Sequence, residues 1–461
     1  MRVAFVPLGF LAGTLVCRLW LQHAPQSVSV DLAQPLVVVT YWQGYGALVF
    51  LALAIAIAIA IGGYAAALRG KIAPAAIAGA CALACGAALA FPVVFSSDVY
   101  AYAGYGDLSL HGIDPYAHLR IALRDPLLDA VQWQWGNPPP MCVYGPAFVR
   151  LAREIVAFTL PISAAAPLWA FRAIACAALV LCAPLAYAAF APFGDRVRRI
   201  AAAGITLNPI AIWACAEGHN DALLLAIVLA GFTLAQRSRI FAGALTVALS
   251  ALIKAPGLIA AALYAAASWP DRERRVRVTA GALLGAVIVF GLAIPLEYGV
   301  QTHLAGAGHY LPQYSLQALA ALILPVPFAY AVVIAPCLIA ALLGLRWVVL
   351  GDPRGALWIA LAAWCAVPNP YPWYALWILP VAFLAWETPE ARAILAASLL
   401  AVFRYYAEAT TALSPAATAV LVLAQFGIPV AIVIVGYTYR ARRGRPESRT
   451  PDLGFARLRS R

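Results

Sequence analysis

Long apolar segments alternate with short polar or basic segments along almost the whole chain. Apolar runs of about 20 residues are long enough to cross a bilayer as α-helices, and shorter runs are typical of broken or re-entrant membrane helices. No soluble domain interrupts the pattern. It therefore predicts an all-α polytopic integral membrane protein with about 12–14 transmembrane helices. The predicted helices cover residues 3–16, 46–68, 74–95, 168–190, 200–215, 221–236, 240–268, 279–295, 329–345, 355–367, 374–386, 391–403 and 415–438.

The first apolar run, residues 3–16, follows Arg2 and fits either a cleaved signal peptide or an uncleaved first span. We favour the span, because Arg18 and the residues after it offer no clear small-residue cleavage site.

Basic clusters at the ends of the apolar runs indicate how the chain is oriented. Lys and Arg near the ends of spans hold loops on the cytoplasmic side. The rule places residues 69–71 in the cytoplasm and two polar loops, 96–146 and 296–315, outside. Residues 1–440 are interpreted as one transmembrane domain, and residues 441–461 as a basic cytoplasmic tail.

The apolar run 240–268 has basic residues at both ends, which places both ends in the cytoplasm. A break at residues 254–257, where proline and glycine interrupt the helix, resolves this. We predict two half-length helices folded back on each other. About 13 residues at ~1.5 Å each would lift the turn ~20 Å, so that Lys254 lies near the outer face.

The segment 147–160 differs from the spans, because Arg150, Arg153 and Glu154 are spaced as on one face of a helix. This pattern is typical of an amphipathic helix that lies along the membrane interface.

Composition agrees with a membrane protein and limits the functions that the charge suggests. The 461 residues are 64% hydrophobic and 11% charged, and the net charge is +12. A basic chain can indicate nucleic-acid binding, but here the arginines lie in short clusters between apolar runs and in the tail, which is typical of membrane topology. Most of the nine cysteines lie inside apolar runs and are interpreted as core residues, with Cys81 and Cys85 the only metal-like spacing.

Asp98 is the first candidate for chemistry. It follows an apolar helix by a few residues, so its carboxylate is expected at the outer membrane surface, against protein. Partial desolvation there would raise its pKa and suit a general base. The alternative is that Asp98 caps the next helix, since Ser96-Ser97-Asp98 is a good N-cap sequence.

Several polar residues lie at the outer ends of later predicted spans. Residues 217–221 (Glu-Gly-His-Asn-Asp) join two spans, and ionisable groups at that depth are functional by default, although Asn220 or Asp221 alternatively caps the following helix. Lys254 is a lone lysine in an apolar hairpin; it either snorkels or binds a lipid phosphate. Arg404, near the outer end of a late span, is a second candidate for phosphate binding.

Aromatic and acidic residues are concentrated in the outer loops. Tyrosine and tryptophan side chains suit sugar binding, and they equally suit an interfacial aromatic belt. The loop histidines, His303 and His309, are weaker candidates because exposed histidines are common. The candidates for contacts with a sugar or acceptor are Tyr100, Tyr102, Asp114, Tyr116, Tyr144, His309, Trp373 and Tyr374.

Five motifs occur in an order that resembles a known family. They are S-S-D-V-Y-A-Y-A-G-Y-G-D-L-S-L-H-G-I-D-P-Y, Y-G-P, N-P-I followed by G-H-N-D-A-L, I-K-A-P, and P-W-Y-A-L-W, between about residues 95 and 380. Together they resemble the bacterial polyprenol-phosphate-mannose-dependent alpha-(1→6)-mannosyltransferases, which are similar to glycosyltransferase family 87 and belong to the GT-C glycosyltransferases.

The resemblance implies a GT-C fold in the bacterial inner membrane, with a large catalytic first outer loop and an active site facing outside. It implies an inverting enzyme without a cofactor and with little or no metal dependence, which uses a polyprenyl-phosphate sugar and a glycolipid, polysaccharide or protein acceptor. Asp98 would be the base, and no metal ligands are assigned. The donor pocket would contain His219, Asn220, Asp221 and Lys254, and we add Arg404.

Two other classes of protein remain as alternatives. A transporter or lipid-linked-sugar flippase also has broken helices and intramembrane charges, but its charges should lie near the midplane in two related halves. Here the polar residues gather on the outer side and no repeat is visible, which favours the enzyme. An inactive scaffold for envelope assembly is the third reading.

Overall fold

A computed structural model describes residues 2–22, 45–93, 95–117, 127, 131, 141–293, 312–409 and 414–442. These residues form helices and connecting turns, with no β-strand among them. The α-helices are α1 Phe5–Gln22, α2 Tyr45–Ala67, α3 Pro74–Leu89, α4 Asp98–Leu110, α5 Pro146–Thr159, α6 Ala166–Ala189, α7 Asp195–Thr206, α8 Pro209–Ala216, α9 Asp221–Gln236, α10 Ile240–Leu249, α11 Pro256–Ala267, α12 Arg272–Ala293, α13 Leu316–Ala320, α14 Val326–Val349, α15 Arg354–Ala366, α16 Ala375–Ile378, α17 Pro389–Leu400, α18 Val402–Ala409, α19 Pro415–Val422 and α20 Ile428–Arg442.

Six helical segments are long and apolar enough to cross a membrane, and a seventh is added if the pair α7 and α8, bent by 43°, is one span. Six further apolar segments have only 10–17 residues. The prediction of an all-α polytopic membrane protein is confirmed. The predicted number of spans is reached within the described residues only when the short apolar helices are counted with the long ones. The six long segments are Arg2–Trp20, Leu48–Ala67, Ala166–Ala189, Arg272–Ala293, Val326–Val349 and Pro415–Arg440.

Helices α1 and α2 pack closely enough that small residues of α1 face the backbone of α2. A Cβ added at Gly9 of α1 would lie 2.9 Å from the backbone nitrogen of Ala60 in α2. Gly13 lies one turn further along α1, and a Cβ added there would lie 2.7 Å from the carbonyl oxygen of Ala52 in α2. Small residues spaced four apart let the backbones of two membrane helices approach closely. This close packing stabilises the helix pair, because helices in lipid gain little from the hydrophobic effect when they associate.

The run 240–268 is broken where the sequence predicts. Helix α10 ends at Leu249, a short 3₁₀ turn follows, and α11 begins at Pro256. Ala244 of α10 shares a buried cluster with Tyr264 of α11, and Val247 and Ala248 share one with Ala261. Because the pairing runs in opposite directions along the two helices, they fold back on each other. This apolar hairpin carries Lys254 at its turn.

The amphipathic segment after the first loop forms α5, in good agreement with its predicted range. Arg150 and Glu154 form an exposed ion pair of 2.9 Å on one face. Phe148 and Ala152 are buried on the other face, where Gly106 of α4 lies against the backbone of Ala152. Helix α5 therefore supports α4, whose first residue is Asp98.

The predicted segments near the C-terminus are less regular than expected. The predicted helix 374–386 is a short α-helix, α16, followed by the 3₁₀ segment Leu379–Ala385, since Pro380 removes a backbone donor. None of the nine cysteines forms a disulfide, and seven are buried, as expected of core residues. Residues 296–311 of the second outer loop and residues 443–461 of the tail lie outside the described part of the chain.

Candidate active site

Asp98 is buried, with 5% of its surface exposed, and its side chain does not cap α4. The N-cap position is taken by Ser97, whose side chain makes no capping hydrogen bond. Instead, Oδ2 of Asp98 accepts hydrogen bonds from the hydroxyls of Tyr144 (3.1 Å) and Tyr102 (3.4 Å). Oδ1 accepts none from the described residues, so one carboxylate oxygen is anchored and the other is available to a substrate.

His219 brings an imidazole to the anchored oxygen. Its Nδ1 lies 3.4 Å from Oδ2 of Asp98, and its Nε2 lies 4.0 Å from Oε2 of Glu217. The imidazole is fully buried and stacks on the indole of Trp373, with ring centroids 3.7 Å apart. The ring is thus enclosed by protein, and neither of its nitrogens makes a hydrogen bond with the described residues.

The end of α8 explains why Glu217 and His219 reach the site together. The backbone N–H of His219 donates to the carbonyl of Ala214, and that of Gly218 donates to Cys215, which is the Schellman pattern of a helix end. Gly218 has a φ of +98°, which a residue with a Cβ adopts only under strain. The glycine that the motif requires therefore turns the chain so that its two neighbours both face the site.

Lys254 forms the cationic part of the site. Its Nζ lies 2.9 Å from Oδ1 of Asp221, which is fully buried and also accepts a hydrogen bond of 2.5 Å from the indole of Trp377. Asp221 therefore makes an ion pair and does not cap α9. Nζ also lies 5.6 Å from the ring centroid of Tyr144, the residue whose hydroxyl binds Asp98. One tyrosine thus separates the carboxylate from the ammonium.

The loop that carries Tyr144 is attached to the apolar hairpin. The N–H of Gly145 donates to the carbonyl of Ile253 at 2.9 Å. A Cβ at Gly145 would collide with the backbone of Leu252, so glycine is required for this close approach. The same loop is also held by a hydrogen bond of 2.7 Å that the hydroxyl of Tyr116 donates to the carbonyl of Tyr144.

Aromatic rings line the site on the side of the late helices. Trp373 stacks on Tyr371, with centroids 4.5 Å apart, and Tyr374 stacks on Trp377 at 4.2 Å. Arg404 is buried at the far end of this aromatic group, 4.8 Å from the ring of Tyr371. The rings therefore connect His219 with Arg404, and they cover the apolar hairpin at Lys254.

The electrostatics of Asp98 differ from the sequence-based expectation. Burial by itself raises the pKa of this carboxyl, but His219, Lys254 and the hydroxyl of Tyr144 oppose burial and hold the pKa below its usual range. The expectation of a raised pKa is therefore wrong. Burial and the nearby Asp98 raise the pKa of Tyr144 well above its ordinary value, so its hydroxyl keeps its proton and donates.

The structure does not bring every candidate residue together. Asp114 is exposed and accepts a hydrogen bond from the N–H of Tyr116, a local turn contact. Tyr100 is on α4, but its hydroxyl has no hydrogen-bond partner within the described residues and lies in the field of Arg172. His309 lies outside the described part of the chain. Asn220 is at the site, and both polar atoms of its buried amide lack a partner there, which is expected where a ligand or water binds.

Sequence reasoning left three residues without a role. Trp377 could have been found, because it lies four residues after Trp373 in the same P-W-Y-A-L-W motif and four residues are about one helical turn. Glu217 and Tyr371 were visible only as neighbours of candidate residues. No group of three His, Cys, Asp or Glu side chains is arranged to hold a metal ion among the described residues, and the assignment of no metal stays a prediction.

An apolar cavity of about 1200 Å³ adjoins the ion pair. Trp377, Pro256 and Leu224 line the end near Lys254 and Asp221. From Leu224 the cavity follows α9 to Gln236, a distance of ~18 Å at ~1.5 Å per residue. Its walls are mostly aliphatic and aromatic side chains, and polar residues such as Arg274 lie at the other end.

Comparisons with known proteins show which family the sequence of this chain resembles. Residues 6–270 match the sequence model of a family described as alpha-(1->6)-mannopyranosyltransferase, N-terminal domain. The chain is also similar to alpha-(1->6)-mannopyranosyltransferase A of Mycobacterium tuberculosis, with 28% identity over 230 residues. That match covers 47% of this chain and 41% of the relative, so the chain matches less than half of the relative's length. No solved structure matches the chain. Because the family match spans more than half of the chain, the protein belongs to the alpha-(1→6)-mannopyranosyltransferase family.

Proposed function

We propose that the protein is a glycosyltransferase of the GT-C type that transfers a mannosyl group from a polyprenyl-phosphate donor to a hydroxyl of a glycolipid or polysaccharide. The proposal takes the reaction class from the family. It takes the roles of the residues from the geometry of the site.

The observation that carries the proposal is the placement of Asp98 and Lys254 on either side of Tyr144. A single displacement at an anomeric carbon needs a base on the acceptor hydroxyl and positive charge on the leaving phosphate. Oδ1 of Asp98 takes the hydroxyl proton while the hydroxyl oxygen attacks the anomeric carbon. The bond from that carbon to the phosphate oxygen breaks, and its electron pair leaves with the polyprenyl phosphate, next to Lys254. Attack from the side opposite the leaving group inverts the anomeric configuration.

The apolar cavity supports a lipid-linked donor. A phosphate at Lys254 places the attached isoprenoid chain at Trp377 and Pro256, where the cavity begins. An isoprenoid chain can fill this apolar cavity without burying any polar group, whereas a sugar nucleotide would bring polar groups into it at a cost in free energy. Asp221 orients Lys254 through their ion pair, and its negative charge makes it unsuited to bind the phosphate itself.

The proposed location is the bacterial inner membrane, with the site on the extracytoplasmic side. The basic clusters at residues 69–71, 195–199 and 271–277 support this orientation through the preference of Lys and Arg for the cytoplasmic side. The hairpin turn with Lys254 then lies towards the outer leaflet, at the depth where a lipid phosphate lies.

The test is sugar transfer by purified protein in detergent, from polyprenyl-phosphate mannose to extracted envelope glycolipids. Asp98→Asn keeps the size of the side chain and removes the base, so transfer should fall by at least about 10²-fold. Asp107→Asn is the matched control, because Asp107 is on the same helix but pairs with His111 at the surface. Full activity of Asp98→Asn would refute the assignment of the base. If no polyprenyl-phosphate sugar is a donor but the protein moves such lipids across vesicle membranes, it is a flippase.

A further inference from the structure

Arg172 is a buried charge to which the proposed reaction gives no role. It lies in the second turn of α6, and 1% of its surface is exposed. Charged side chains within membrane helices are costly, and they usually face the protein interior and pair with one another or with backbone carbonyls. Every hydrogen bond that the guanidinium makes within the described residues goes to a backbone carbonyl. The ring of Trp169 lies 4.6 Å from its central carbon.

The carbonyls that bind Arg172 belong to two separate segments of the chain. Nη2 donates to Leu89 and to Phe91, at 2.9 Å each, and Leu89 is the last residue of α3. Nε donates to Ala216, the last residue of α8. The negative ends of two helix dipoles thus meet at one cation. Only arginine offers several N–H donors in a planar fork that can reach both segments at once.

The same two segments carry proposed catalytic groups. The chain continues from Phe91 to Asp98, the proposed base. From Ala216 it continues directly into residues 217–221, which include His219 and Asp221. The guanidinium therefore joins the segment before the base to the segment that faces it.

The two segments touch at further points beside Arg172. The backbone N–H of Phe95 donates to Oε1 of Glu217 at 3.0 Å. A Cβ added at Gly218 would lie 2.9 Å from Cγ2 of Val99 and 3.3 Å from Cγ of Arg172. The side chain of Arg172 thus packs directly against the turn that brings residues 217–221 to the site.

We propose that Arg172 is a positioning residue: its guanidinium holds the ends of α3 and α8 together and so fixes Asp98 against residues 217–221 in the arrangement that sugar transfer requires. The inference rests on the proposed function for the role of Asp98 as the base. The joining of the two segments by Arg172 is independent of any activity.

The first test is the kinetics of sugar transfer by Arg172→Lys, measured per folded molecule. Lysine keeps the charge, but its single nitrogen cannot donate to both segments. We expect kcat to fall about 10–10²-fold, because a misplacement of ~1 Å at reacting groups can cost 10²-fold. The KM for the polyprenyl-phosphate donor should stay close to the wild-type value, because Lys254 and the apolar cavity do not contact Arg172.

Arg198→Lys is the matched control. Nε of Arg198 also donates to a backbone carbonyl of α6, that of Tyr187 at 2.7 Å, and its guanidinium lies 3.8 Å from the ring of Tyr187. This contact is at the other end of α6, so kcat should keep its wild-type value. An unchanged kcat in Arg172→Lys, or an equal loss in Arg198→Lys, would overturn the proposal. Arg172→Gln, which also donates from one nitrogen, should show the same loss and replaces Arg172→Lys if that variant does not fold.

The second test follows the two segments directly and needs no substrate. Hydrogen-exchange mass spectrometry of the protein in lipid nanodiscs reports on the amides of residues 91–98 and 214–221, which include the N–H groups of Phe95 and His219. In Arg172→Lys both stretches should exchange at least about tenfold faster, with the rest of α6 as protected as in the wild type. Wild-type exchange in these stretches, or faster exchange throughout α3, α6 and α8, would overturn the proposal. Faster exchange confined to the two stretches, in a protein that transfers no sugar, would refute the proposed function and leave the joining role of Arg172 in place.

Discussion

Replacing Lys254 with methionine tests the buried ion pair most directly. The side chains of Lys254 and Asp221 are 11% and 0% exposed, with 2.9 Å between Nζ and Oδ1. Removing one partner of a buried pair leaves an uncompensated charge and typically costs about 3–5 kcal/mol of the free energy of unfolding. The hydrogen bond from Trp377 remains in Lys254→Met and satisfies only part of the buried carboxylate. We therefore expect a loss at the lower end of that range, measured by thermal or denaturant unfolding in detergent.

A second variant separates stability from catalysis. Replacing both partners, in Lys254→Met with Asp221→Leu, removes both charges and should recover most of the lost stability, because well-packed apolar residues often replace a buried pair without cost. It should not recover sugar transfer, which we expect to stay about 10²–10³-fold below wild type without the cation at the phosphate.

Arg150→Met is the matched control for the ion pair. Arg150 and Glu154 are also 2.9 Å apart, but their side chains are 66% and 41% exposed. An exposed pair of this kind contributes about 0–1 kcal/mol. If Lys254→Met is no less stable than Arg150→Met, then Lys254 and Asp221 are hydrated and the description of a dry ion pair is wrong.

Two further variants test the hydroxyl at the base and the cavity. Tyr144→Phe removes a hydrogen bond that lowers the pKa of Asp98, so the pH below which transfer fails should rise while the fold is kept; an unchanged pH profile would contradict this. Ala360→Trp fills part of the cavity and should raise the KM for a long-chain polyprenyl donor about tenfold. The KM for a short-chain analogue should stay the same. Leu283→Trp, on the exposed side of α12, is the control and should leave both KM values unchanged.

The fold was largely predictable because hydrophobic runs and basic flanks report on the membrane locally. The break at Lys254 followed from basic residues at both ends of one apolar run, and α5 followed from the spacing of its charges. The irregular helix at Leu379–Ala385 was not foreseen, since an apolar run does not show where tertiary contacts replace regular hydrogen bonds.

The site was predictable as a set of residues but not as an arrangement. Asp98 and Lys254 stood out as ionisable groups at the ends of apolar runs. Their mutual placement depends on contacts between distant parts of the chain, such as Trp377 with Asp221, which are 156 residues apart. The direction of the pKa shift was mistaken for the same reason: burial is visible from sequence, whereas the charges of His219 and Lys254 at Asp98 are visible only in the fold.

The hydrogen bond between Gly145 and Ile253 has a mechanical consequence for the enzyme. It joins the loop that carries Tyr144 to the hairpin that carries Lys254, so the two segments are expected to move as one body. We expect the helices around the cavity to shift when the isoprenoid chain of the proposed donor enters or leaves. The hydrogen bond between Gly145 and Ile253 would then keep the distance between Asp98 and the phosphate constant. The cavity could change its width for the lipid while the reacting groups stay aligned.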